Sequence, residues 1–202
     1  MDEIGLFPLG IVLLPGELVP LHVFEDRYKE LVGECLELGR EFGLVFADED
    51  GVRETGTRAH IAEVLERFED GRMNILVQGG ERFHVERLTR GRSFLTAEVE
   101  PVDDEWGEPD ADAAERLTEA FRALAAAAGA EPEEPDADAP ALSFAVASRV
   151  ELAPDAKQEL LESRSEPQRQ QRVRELLDGA REAILAARRL GEHAKQNGSR
   201  LS

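Results

Sequence analysis

The chain has 202 residues and a formal net charge of −19, long enough for one ordinary domain or two small ones around a proper core. Its single cysteine excludes an internal disulfide and a thiolate zinc cluster, and so acidic a surface repels a phosphate backbone, which argues against nucleic-acid binding. Met1-Asp2-Glu3 is unlike a basic secretory leader and no apolar run is long enough to span a bilayer, so a cytoplasmic protein without membrane contact is expected.

Two short apolar runs, Leu6–Leu9 and Leu18–Phe24, open the chain around an apolar loop, Ile11-Val12-Leu13-Leu14, and a tight connection at Pro15-Gly16. Pro8, Pro15 and Pro20 exclude a long helix here and point to two short strands. A helix follows from Glu25 or Asp26, with Tyr28, Leu31, Val32, Cys35 and Leu36 at helical spacing and Gly39 at its end. Phe42–Ala47 suits a buried strand, and Asp48-Glu49-Asp50-Gly51 a turn. The stretch from Gly56 to Phe68, the hairpin signal Glu69-Asp70-Gly71 and the return Arg72–Gln78 predict a hairpin with Met73, Ile75 and Val77 on one face. Gly79-Gly80 permits a bend or bulge, and strands follow around Phe83–Val85 and Phe94–Pro101.

Beyond Pro101 the period changes. Residues 103–140 hold 13 acids and 2 bases, more than half of the net negative charge, which sets this stretch apart from its neighbours. Ala111–Ala128 reads as a helix stopped by Gly129, and residues 130–139 as a mobile Pro-acidic linker. Helices are expected from Pro140, from Pro154 to Leu161, and from a capping box at Ser165-Glu166-Pro167-Gln168 onward, with fraying after Gly191. The expected organisation is α+β: a mixed β-barrel with one inserted helix over residues 1–102, a helix plus acidic linker over 103–140, a helical subdomain over 141–190 and a frayed tail over 191–202.

Phe7-Pro8-Leu9, Pro15, Val19-Pro20-Leu21, Phe24 and the helix through Leu36 resemble the start of the Lon protease N-terminal, substrate-binding domain. Gly56-Thr57, Ala59, Ile61, Asp70-Gly71, Leu76-Val77, Gly79 and Arg82 extend the likeness, as do Leu142–Ala147, Asp155–Leu161 and Arg172–Leu177. The resemblance departs at residues 103–140. It implies a barrel similar to the pseudouridine-synthase-associated (PUA) domain and a polypeptide-binding module in protein quality control, in a stand-alone form lacking the ATPase and peptidase.

The catalytic inventory reads as empty. No Gly-x-x-x-x-Gly-Lys-Ser/Thr phosphate loop occurs. Lys157 with Ser163 makes a poor nucleophile–base pair, because a catalytic lysine needs a desolvated pocket. His22, His60, His84 and His193 lack metal-ligand spacing, so no metal and no cofactor are expected. His22 and His60 read as structural histidines within strands. Trp106 reads as a latch for the linker, with an exposed partner anchor as the alternative. The apolar loop admits two readings, barrel lining or recognition surface. Four apolar residues in a row favour partial exposure, in a groove formed by Ile11, Leu13, Leu14, Pro15, Phe24 and Phe68. The expected partner is an unfolded or damaged polypeptide or a partner protein. An RNA-binding PUA-like domain and a self-associating structural domain are the competing readings.

Overall fold

The computed structural model describes residues 2–107, 110–136, 139 and 141–198, with side chains through residue 190. Six strands, β1 (Asp2–Leu9), β2 (Leu18–Val23), β3 (Phe42–Asp48), β4 (Gly51–Arg67), β5 (Met73–Thr89) and β6 (Thr96–Pro101), form one sheet. β1 runs parallel to β3 and antiparallel to β6, and the β3–β4, β4–β5 and β5–β6 pairs are antiparallel, so the pairing returns to its start. β2 is added to this ring on β5 alone.

β5 serves both neighbours on that side. Met73–Gln78 pairs with β2 and Phe83–Thr89 with β6. The change falls at Gly79-Gly80, next to a register shift between Thr57 and Ala59 of β4. β1 begins four residues earlier than its apolar run, because Asp2–Gly5 zips onto Thr96–Val99 of β6. Backbone pairing rather than side-chain burial extends it, since Asp2 and Glu3 are exposed.

Between β2 and β3 lies α1 (Asp26–Leu38), which buries Tyr28, Leu31, Val32 and Cys35. These join Phe7, Leu21, Val23, Phe42, Met73, Ile75 and Val77 in the main core, where each large apolar side chain contributes about 1.5–3 kcal/mol. Phe7 stacks on Tyr28 at 4.0 Å between ring centres. α1 stops at Gly39, whose φ of 62° lets its N–H bond the Cys35 carbonyl.

The loop from Gly10 to Glu17 is pinned to the sheet. Thr57 Oγ1 donates to the Leu13 carbonyl at 2.6 Å, Glu17 accepts the Leu14 N–H at 2.9 Å, and the Gly16 N–H bonds the Gly79 carbonyl at 2.8 Å. Leu13 and Leu14 are 1% and 0% exposed, so the expected partial exposure is corrected. A chain segment that satisfies its backbone against a barrel end can turn consecutive apolar side chains inward, which a strand cannot do. Gly79 makes this possible, because a Cβ there would land on the Leu14 carbonyl.

Contacts divide the chain into two compact units, Met1–Trp106 with Ala147–Arg164, and Gly107–Val146 with Ser165–Ser202. The first therefore includes α4 (Pro154–Glu162), which the sequence pattern groups with the later helices. Arg82, a β5 residue 6% exposed, explains this: it donates to the Leu161 carbonyl at 2.9 Å and the Ser163 carbonyl at 2.6 Å. It also pairs with Asp104 at 2.5 Å.

In the second unit α2 (Ala111–Ala128) packs on α5 (Glu166–Gly198), with Leu117, Phe121, Leu124, Val173 and Leu177 buried. Asp110 caps α2 by accepting the Ala113 N–H at 2.9 Å. Glu166, expected in a capping box, accepts from the N–H and hydroxyl of Ser143 in α3 (Leu142–Ala147) and from the buried Arg169, whose guanidinium lies 4.4 Å from the Phe144 ring centre. The expected helix start at Pro140 lies outside the described residues. The acidic linker is not without anchors: Pro135 is buried and Glu134 takes two bonds from Arg122, at 2.7 and 2.6 Å. α5 stays helical past residue 190, since Gly191 alone costs a helix only about 1 kcal/mol.

Two measurements check the pinned loop. Gly79→Ala lowers stability by about 3 kcal/mol in chemical denaturation, whereas Gly33→Ala, on α1 with open space around the new methyl, raises it by up to about 1 kcal/mol. Replacing Leu13 and Leu14 together by Ser lowers stability by about 5 kcal/mol and collapses the melting temperature.

Candidate functional site

The six residues expected to form one groove separate into two places. Ile11, half-buried, packs against the core, Leu13 and Leu14 belong to it, and Pro15 is half-buried in the pinned loop. Phe24 and Phe68 lie at the other end of β2 and β5. Gly79, under the loop, and Asn74, opposite His22, are five residues apart on β5, a distance of about 17 Å in an extended strand. The loop and the aromatic pair therefore do not share a groove.

The aromatic end has a geometry of its own. β2 alternates, so Leu21 and Val23 point into the core while Pro20 and His22 face out. Phe24, next in this alternation, is 58% exposed. The His22 ring stands 5.8 Å from Phe24 and 6.1 Å, edge on, from Phe68. Arg72 lies 5.0 Å over Phe68 and pairs with Asp70 at 2.7 Å. That contact and the Arg72 backbone N–H hold the exposed Asp70 carboxyl below its usual range, the backbone bond contributing most.

A hydrogen-bonded row crosses the three strands. His22 Nδ1 lies 2.6 Å from Asn74 Oδ1, and Asn74 Nδ2 donates to Glu66 Oε2 at 3.0 Å. Because Asn74 donates through its nitrogen to Glu66, its oxygen is the acceptor and His22 Nδ1 carries the proton. When the ring is neutral, Nε2 is then its acceptor. Beside this row is a shallow depression of about 490 Å³, lined by Pro20, Leu21, His22, Leu65, Glu66 and Asn74. His22, expected as a structural strand histidine, thus stands at the surface of the depression. The alternation that turns Leu21 and Val23 inward is the signal that it faces out.

Residues 3–179 match the model of the ATP-dependent protease La (LON) substrate-binding domain. The chain belongs to this family. The Lon protease of Methylocella silvestris is 27% identical over 216 aligned positions, covering 96% of this chain and 26% of that protease. The Lon protease of Flavobacterium johnsoniae is 27% identical over 112 positions, 51% of this chain and 14% of that protease. The chain thus spans about a quarter or less of these relatives. A Lon N-terminal domain protein from Xanthomonas campestris matches with a TM-score of 0.66 at 27% identity, over 86% of this chain and 97% of the other. The N-terminal domain of the Mycobacterium avium complex Lon protease has the same TM-score at 19% identity, a likeness of fold, over 88% and 98%.

Elsewhere in this Lon substrate-binding domain the polar residues hold the fold. Lys157 pairs with Glu17, the residue that accepts the Leu14 N–H, and so anchors α4 to the loop. Asp48 accepts the Asp50 N–H at 2.9 Å and pairs with Arg53 at 2.8 Å, which closes a turn. Among the described residues no group of three or more His, Cys, Asp and Glu side chains converges as a metal site would require, and no helix is long and apolar enough to cross a membrane. Trp106 is 91% exposed, so the expected latch is corrected: its side chain is not packed against the described residues. Its neighbours are held instead, the Glu105 N–H by the Arg164 carbonyl at 2.8 Å and the Asp103 carbonyl by Arg164 Nε at 3.0 Å.

Burial pushes the Cys35 thiol up to about 11, with Arg40 pulling weakly the other way. A folded value above the ordinary thiol range means that burial favours the neutral thiol. The folded protein at pH 8 therefore reacts negligibly with a thiol-disulfide reagent and titrates one thiol when unfolded. Its stability falls as pH rises from about 9, where the unfolded thiol ionises, toward 11.

Proposed function

We propose that this chain is a non-catalytic polypeptide-binding module of protein quality control. It takes exposed apolar segments of damaged or unfolded proteins on the face built from Phe24, His22, Phe68 and Leu65. The carrying observation is that two exposed apolar side chains meet at His22: Leu65, 50% exposed, lines the depression with it, and Phe24, 58% exposed, stacks on its ring at 5.8 Å. Exposed apolar surface of this kind marks interaction sites, and the family's own description as substrate-binding supports the reading. Leu13 and Leu14, being core, have no role in it. Binding without cleavage agrees with a sequence that has no phosphate loop and with a Lys157 engaged by Glu17.

The test is an isotherm of the purified protein against fluorescently labelled, unfolded casein. Replacing Phe24 and Leu65 by Ser weakens binding about tenfold or more. The melting temperature moves little, because both side chains are at least half exposed and neither belongs to the core. Affinity holds or rises with added salt, whereas a steep loss with salt would mark counterion release and favour RNA binding. The protein neither hydrolyses ATP nor degrades casein. Absence of binding at tens of micromolar overturns the proposal.

A further inference from the structure

We propose that the depression beside His22 prefers apolar segments carrying a lysine or arginine, with Glu66 as the residue that reads the positive charge. This rests on the polypeptide-binding reading above and names the substrate class for that site.

The preference arises from how β4 is built. Val64 pairs with Ile75 and Glu66 with Asn74, so the register shifts and Leu65 is the extra residue. A bulge of this kind re-aims side chains that strict alternation would send to opposite faces. Leu65 and Glu66, adjacent in sequence, therefore both line the depression. The result is an apolar contact directly beside a carboxylate.

That carboxylate lacks the cationic partner found at Glu25, Asp26 and Asp70. Glu25 pairs with Arg27, Asp26 with Lys29 and Asp70 with Arg72. The nearby Arg67 is directed at the Met73 sulfur, 3.7 Å away. Glu66 accepts one bond, from the neutral amide of Asn74, and forms no ion pair among the described residues. His22 also lines the depression, and with Nδ1 turned to Asn74 its Nε2 is an acceptor when the ring is neutral. The rest of the lining is the Asn74 amide, engaged by both Glu66 and His22, and the apolar Pro20, Leu21 and Leu65.

Two acceptors, one of them charged, set in an apolar wall complement a cationic donor on a hydrocarbon stem, which describes the side chains of lysine and arginine. The phenyl ring of Phe68 already carries one guanidinium, that of Arg72, so this end of the sheet accommodates cations on aromatic faces. The net charge of −19 draws cationic segments toward the protein in general. Glu66 makes that attraction local.

Three labelled peptides of equal length separate the possibilities by fluorescence anisotropy at physiological ionic strength. The first is built from Leu, Phe and Ser, and in the others one Ser is replaced by Lys or by Glu. The intact protein binds the Lys peptide about fivefold tighter than the neutral one and the Glu peptide more weakly. In Glu66→Gln the ratio of Lys to neutral affinity falls to near one, and in Glu66→Lys the Glu peptide becomes the preferred one. Equal binding of all three peptides by the intact protein overturns the charge preference and leaves the polypeptide-binding reading standing. A Lys preference that survives in Glu66→Gln overturns the role of Glu66 and assigns the effect to overall charge. Failure of every peptide to bind overturns both the preference and the reading beneath it.

Discussion

The passage of the Leu14 carbonyl across Gly79 is the contact on which the first unit depends. It lets the loop after β1 lie against the sheet, and everything bonded to that loop follows. Thr57 holds the Leu13 carbonyl, Glu17 holds the Leu14 N–H, and Lys157 of α4 holds Glu17. One close backbone approach thus links β1, β2, β4, β5 and α4. Glycine at position 79 is required by space, because any side chain would occupy the volume of the carbonyl.

A second constraint acts from the far side of β5. Arg82 is a buried cation, and removing a charge from water costs several kcal/mol unless it is well bonded. Two carbonyls and the Asp104 carboxylate meet that need, and all three lie in segments distant in sequence. The guanidinium therefore fixes the chain after β6 and the end of α4 to one strand. Gln158 adds to this from α4, donating to the Thr55 carbonyl at 3.2 Å.

Local pattern makes most of the elements legible. The apolar spacing from Tyr28 to Cys35, the Asp70-Gly71 hairpin and the face formed by Met73, Ile75 and Val77 depend on neighbours a few residues away, and each lies where expected. The burial of the first loop is not legible, because it depends on Gly79, sixty-five residues from Leu14, and no local signal shows that approach. The same limit separates α4 from its true neighbours, since Arg82 meets Leu161 and Ser163 through space. At the candidate site Phe24 and Phe68 are legible as apolar residues near strand ends. Leu65 and Glu66 are not, because a bulge abolishes the alternation that such reading relies on. Trp106 shows a different failure: its neighbours bond through their backbones, and a large apolar side chain carries no information about that.

β2 pairs on one side only among the described residues, and Pro20 stands within its six residues. An unpaired strand edge offers its N–H and C=O groups to any extended chain, the route by which sheets grow into aggregates. Proline has no N–H to offer and interrupts that template at its middle. For the polypeptide-binding role proposed above, the consequence concerns release more than capture. A segment resting on the adjoining side-chain face is held by contacts that let go singly, with no continuous ladder to unzip. In that proposed role the domain handles sticky polypeptides repeatedly without its own sheet being extended by them.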